Sequence, residues 1–203
     1  MSVRSKAASF SRTDINGFES AHWADVYGIK ILLLIVSCIA SWFLPKGFSE
    51  GFAAFGSSVF AIFVGLFVTS LIFSLDKFYS KKLTKNLNST QKLHDDQENN
   101  QTKIFAYVTG WTIVLSLVVI LLLSLSALFP KVTQLDVFEL TFVSPIESYA
   151  DGKLRESIWL FVTVIFLVFQ RLAVVYFSLR VMWNTAMIVV TMVDFMTAKM
   201  DRQ

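Results

Sequence analysis

"IFAYVTGWTIVLSLVVILLLSLSALF", residues 104–129, contains no Asp, Glu, Lys or Arg. A helix of this length crosses a hydrocarbon core of about 30 Å, which takes about 20 residues. Residues 52–75 repeat the property. A soluble two-layer domain of 203 residues does not need such runs, and a hydrophobic fraction of 55% is more than one normally carries. The apolar runs are continuous rather than alternating, which excludes a β-barrel. Backbone groups in lipid find no water, so each run must be helical. The chain reads as an all-α integral membrane protein.

Four transmembrane helices are the economical count. Tyr27 to Pro45 forms the first, with "ILLLIVSCIASWFL" as its body; Phe52 to Leu75 forms the second. Ile104 to Phe129 is the third, closed by Pro130, and the fourth starts near Ser157. The first run begins too far into the chain for a cleaved signal and reads as an uncleaved anchor. Residues 76–103 carry six lysines (Lys77, Lys81, Lys82, Lys85, Lys92 and Lys103). Residues 130–157 carry only Lys131, Lys153 and Arg155. By the positive-inside rule, both termini and residues 76–103 are cytoplasmic. The expected division is therefore a cytoplasmic N-terminus (1–26), three spans with a hairpin at 76–103 (27–129), a periplasmic loop (130–157), and a fourth span with a cytoplasmic extension (158–203). Trp23, Trp42, Trp111, Trp159 and Trp183 fit an interfacial belt in this topology.

Outside the bilayer, Ile15, Phe18, His22, Val26 and Ile29 share a helical face and predict an interfacial helix before the first span. "DKFYSKKLTKNL" continues the second span helically, and "HDDQENNQ" has the composition of a turn that reverses the chain. His94, Asp95 and Asp96 in that turn read as solvated rather than as a metal site. In the outer loop, "VTQLDVFELTFV" is rich in β-branched and aromatic residues and predicts a strand or hairpin. That loop either senses something outside or simply joins and caps two spans.

Within the second span, Ala53, Ser57, Ala61, Gly65 and Thr69 recur every four residues. Helices in lipid associate through close backbone approach, which small residues permit. The second span is therefore expected to be a packing helix rather than a lipid-facing one, against a helix of the same or another subunit.

From Ser157 to the C-terminus there is neither proline nor glycine. An unbroken helix would run about 69 Å, roughly twice the bilayer core. Trp159 and Trp183 would mark its two interfaces, placing Arg171 near the midplane and Arg180 at the cytoplasmic boundary. Arg180 can snorkel to headgroups. Arg171 needs a further reason, because a midplane cation costs a few kcal/mol unless it faces protein or water. The nearest acids in sequence, Glu156 and Asp194, lie beyond the span. Arg171 then either bonds to helix carbonyls and to residues such as Gln170, Ser116 or Thr112, or lines a hydrated cavity that in an oligomer forms a ring of cations, or reaches an interface because the helix tilts. Met187, Met192, Met196 and Met200 follow at near-helical spacing and either pack against the 76–103 hairpin or contact an oligomer or partner.

No catalytic motif is present: there is no phosphate loop, zinc spacing or nucleophile elbow, and the single Cys38 excludes a disulfide framework. An enzyme is not expected, nor a cofactor, nor direct nucleic-acid binding at a net charge of +3. The layout resembles the membrane subunit of bacterial Kiwa anti-phage defence systems. The likeness covers the whole chain through its size, four spans, charged cytoplasmic hairpin, modest outer loop and long final helix. It implies an oligomeric inner-membrane sensor, a tetramer, working with a soluble DNA-binding effector. The alternative is a small pore, either anion-favouring through Arg171 or holin-like.

Overall fold

A computed structural model describes residues 23–80, 89–142 and 154–200. Among them there is no strand. The helices are α1 (Trp23–Trp42), α2 (Glu50–Ser80), α3 (Ser89–Leu128), α4 (Pro130–Thr133), α5 (Val137–Phe142) and α6 (Leu154–Met200). Among the described residues, three stretches are long and apolar enough to cross a membrane: Glu50–Asp76, Thr102–Leu128 and Trp159–Val190. The apolar part of α1, Tyr27–Trp42, is shorter. Its helix ends at Trp42 rather than continuing to Pro45, because the chain turns through Phe43 N–H to Ala40 O (3.1 Å) and Leu44 N–H to Ser41 O (3.1 Å).

α2 starts after Ser49, whose hydroxyl accepts the Phe52 N–H (3.3 Å) as an N-cap, with Glu50 in the first turn complementing the helix dipole. It continues past its apolar run as expected, to Ser80. The expected chain reversal at "HDDQENNQ" is corrected: those residues lie inside the 40-residue α3. No Gly or Pro interrupts Ser89–Thr102, and polarity alone does not break a helix of Lys, Leu, Gln and Glu. Residues 81–88 lie outside the described residues, as do the expected interfacial helix through residue 22 and the loop centre at 143–153.

The strand expected over "VTQLDVFELTFV" is also corrected, to helices α4 and α5. Pro130 occupies the first turn of α4, where its missing N–H is harmless. Asp136 caps α5, its Oδ1 accepting the N–H groups of Phe138 (2.9 Å) and Glu139 (3.4 Å). Asp-x-x-Glu is a helix-start signature, and these local bonds prevail over β-branched composition in so short a segment. The long final helix stands as expected, with 47 residues.

The chain forms two compact units. One takes Leu32–Ala61 and Leu117–Leu179; the other takes Ile62–Ser116 with the two chain ends. The core of the first joins Phe48, Ala53, Val119, Leu123 and Val174. That of the second joins Phe67, Phe105 and Ile188, with Phe63, Val108 and Ile113 against them. Buried Thr109 Oγ1 and Ser41 Oγ find no partner among the described residues, but three other buried hydroxyls bond within their own helices: Ser37 to Leu33 O (2.6 Å), Thr112 to Val108 O (2.7 Å) and Ser116 to Thr112 O (2.9 Å). This satisfies them without water.

Within one chain the small-residue stripe packs only at its start. Ala53 is fully buried, but Ala61, Gly65 and Thr69 are exposed, and Gly65 has no neighbour where a Cβ would stand. Ser57 and Thr69 bond to Ala53 O (2.8 Å) and Gly65 O (2.9 Å) of α2 itself. The reason is helical geometry: four residues turn a helix about 400°, so an every-four stripe drifts about 40° per step and leaves the contact face. The face that packs follows Ala53, Gly56, Phe60, Phe63 and Phe67, alternating steps of three and four. At Gly56 a Cβ would stand 3.0 Å from Leu123 Cδ1. Only 6% of α2's apolar window is buried within this chain, against 33% in α3, so little of the packing expected of α2 is made inside one subunit.

A buried arginine clamp as the candidate functional site

Consecutive helical residues point about 100° apart, so Gln170 and Arg171 of α6 reach different neighbours. Both are only 4% exposed. Gln170 turns to α3, its Nε2 donating to Ser126 Oγ (2.9 Å) and Leu122 O (3.3 Å). Arg171 turns to two chain reversals. Its Nη1 donates to Leu44 O (3.2 Å) and to Pro45 O, and its Nη2 to Thr133 O (3.1 Å) and Leu135 O (2.8 Å).

The four Nη hydrogens thus find four carbonyls, two from each reversal. A guanidinium suits this because its planar fork carries paired donors in fixed directions. The acceptors are suited for a different reason. Leu44 and Pro45 follow the end of α1, Thr133 is the last residue of α4, and Leu135 follows it. Helix C-termini leave carbonyls without intrahelical donors, with partial negative charge. A cation there is neutralised by dipoles and needs no acid in its own span. Among the described residues, the acid whose charge acts on Arg171 is Asp136, the cap of α5. Sequence reasoning searched the spans for an acid, whereas this one sits in the loop.

The two reversals are also tied to each other. Pro45 O accepts the Val137 N–H (3.0 Å), and the Trp42 and Phe138 rings meet edge to face at 5.2 Å. Thr133 Oγ1 donates to Ser126 O (3.1 Å) and Phe129 O (2.9 Å), closing the turn between α3 and α4. Gly47 completes the clamp. Its φ of 71° is in the left-handed region, and a Cβ there would stand 2.6 Å from Thr133 O and 3.1 Å from Arg171 Nε. That Nε is buried and has no hydrogen-bond partner, and the absent side chain at Gly47 leaves the guanidinium its room.

This environment revises the depth expected for Arg171. Lys46, Glu50, Lys131 and Glu139 are exposed on the segments that the clamp gathers, with Asp136 among them. Ionised side chains do not face hydrocarbon. These charges favour a water–lipid boundary over the midplane for the clamp. Of the three settings open to Arg171, bonding to carbonyls holds, but to loop carbonyls. Ser116 and Thr112, considered as partners, bond within α3 instead. Arg180, nine residues further along α6, is half-buried, and no hydrogen bond joins it to a described residue.

Of the methionines, Met187 and Met192 are exposed, and the side chains of Met196 and Met200 lie outside the described residues, as do those of His94, Asp95 and Asp96. Sequence reasoning missed Gly47, Asp136 and the four carbonyl acceptors of the clamp. Pro45-Lys-Gly47 and Asp136-x-x-Glu139 were available signals for the turn and the cap; backbone carbonyls carry no residue signature. Comparison with protein families, with characterised proteins and with solved structures finds no match to this chain.

Proposed function

We propose that this chain is an oligomeric inner-membrane sensor or scaffold subunit of an anti-phage defence system of the Kiwa type. In this reading it crosses the membrane four times, α1 included, with both termini in the cytoplasm. It signals to a soluble nucleic-acid-binding effector. The observation that carries the choice of sensor over pore is the Arg171 clamp. An anion-favouring pore needed Arg171 to face water across an oligomer axis, and here every Nη hydrogen is taken by a carbonyl. The same clamp suits a sensor. It fastens two chain reversals to α6, the helix that continues to Met200. A ligand or membrane stress that shifts those reversals then acts directly on the helix leading to the cytoplasmic end.

The test is co-purification of the tagged chain from cells that also express its neighbouring genes. A retained soluble partner together with self-association is the expected result. A chain that retains no partner and stays single refutes the sensor reading. Conductance in reconstituted bilayers that Arg171→Ala alters would restore the pore.

A further inference from the structure

α6 is too long for the membrane it enters. Its apolar stretch Trp159–Val190 spans 32 residues, about 48 Å at 1.5 Å per residue against a hydrocarbon core of about 30 Å. The charged surroundings of Arg171 decide at which end the excess lies. With the boundary at Arg171, Trp159 stands twelve residues, about 18 Å, to the loop side of it. That is well past the interfacial zone, which adds roughly 5–8 Å per leaflet.

This excess is not polar. Trp159 (66% exposed), Phe161 (66%), Val162 (50%), Ile165 (52%), Phe166 (48%) and Phe169 (67%) occupy one half of the helix circumference. The opposite side is packed, with Leu167 fully buried and Gln170 and Arg171 nearly so. Acyl chains cannot cover the open half if it rises above the boundary, and water would cover it at high cost. Large side chains of this kind present about 150–250 Å² each, so the exposed share is on the order of 700 Å². A stable interface takes about 800 Å² from each partner.

We propose that this face of α6, from Trp159 to Phe169, is the self-association surface of the protein, and that its occupant is a second copy of the chain. Two such helices would supply matching apolar area on the same side of the clamp, with the charged reversals left at the rim. The proposal rests on the oligomeric reading above and assigns it a surface.

The test uses the full-length chain in membrane vesicles of both orientations, with Cys38→Ser as background. Single cysteines are placed by Phe166→Cys and Phe169→Cys, with Phe73→Cys on exposed α2 as control. Oxidation should give the α6 variants, and not the control, a band at twice the 23.0 kDa chain mass. Phe161→Cys should react with a membrane-impermeant maleimide in one vesicle orientation once the chain is diluted to single copies, and be shielded where the α6 variants cross-link. If the native mass is oligomeric but only the control cross-links, the surface is wrong and the oligomer stands. If nothing cross-links and the native mass is that of one chain, both fall. If Phe161→Cys is shielded in both orientations and the α6 variants do not cross-link, lipid covers the face and the proposal is overturned.

Discussion

Replacing Arg171 by methionine removes the cation while keeping length and apolar bulk. Leu44 O and Pro45 O retain backbone donors, the N–H groups of Gly47 and Val137, each at 3.0 Å. Thr133 O and Leu135 O lose the guanidinium that bonds them at 3.1 and 2.8 Å. A buried acceptor left without a donor costs about 1–3 kcal/mol, so the two together cost about 2–6 kcal/mol. Removing the buried charge returns part of its desolvation cost, which brings the net loss to about 3 kcal/mol. For a chain of this size that lowers the thermal midpoint by about 6–12 °C. Arg171→Lys should lose about half as much, because a compact ammonium cannot hold two pairs of carbonyls at once. The assay is size exclusion of the detergent-solubilised protein after stepwise heating. A midpoint for Arg171→Met within about 2 °C of the parent would show that the clamp contributes little, and the account of the site would be wrong.

Gly47→Ala should match or exceed that loss, since it adds left-handed strain of about 1–2 kcal/mol to a Cβ placed 2.6 Å from Thr133 O; the same heating series measures it. Gln170→Leu alone should cost about 1–2 kcal/mol by stranding acceptors on α3, whereas Gln170→Leu with Ser126→Ala should recover much of it, because removing both partners leaves less unpaired. A double variant as unstable as the sum of the singles would contradict the observed Gln170–Ser126 bond. Asp136→Ala should cost about 0.5–2 kcal/mol through the lost cap of α5, and Asp136→Asn should keep the cap while removing the charge beside Arg171; comparing the two midpoints separates these roles.

The spans and the final helix were legible because they depend on simple properties. Charge-free runs at 52–75 and 104–129 set helix type and length, and the absence of Gly and Pro after Ser157 made α6 continuous. Legibility failed where local bonds outweigh composition. The stretch around Asp136 has strand-like residues, yet one carboxylate oxygen accepting two N–H groups turns it into a helix. The small-residue stripe marks the contact inside one chain only at Ala53, because a fixed spacing of four departs from a 3.6-residue turn and takes Gly65 and Thr69 away from that face. The clamp was half visible. Arg171 stood out at once as a cation without an acid, but its partners are main-chain oxygens from residues 36 to 127 positions away. Nothing in the identities of Leu44, Thr133 or Leu135 marks them as acceptors.

The central claim is that one side chain of α6 holds both reversals. Hydrogen–deuterium exchange on the protein in lipid nanodiscs, with and without Arg171→Met, tests this directly. The account predicts that peptides covering 43–49 and 133–139 lose protection together, while those covering 105–119 of α3 do not change. Unchanged protection in both reversals, or loss confined to one of them, would contradict it.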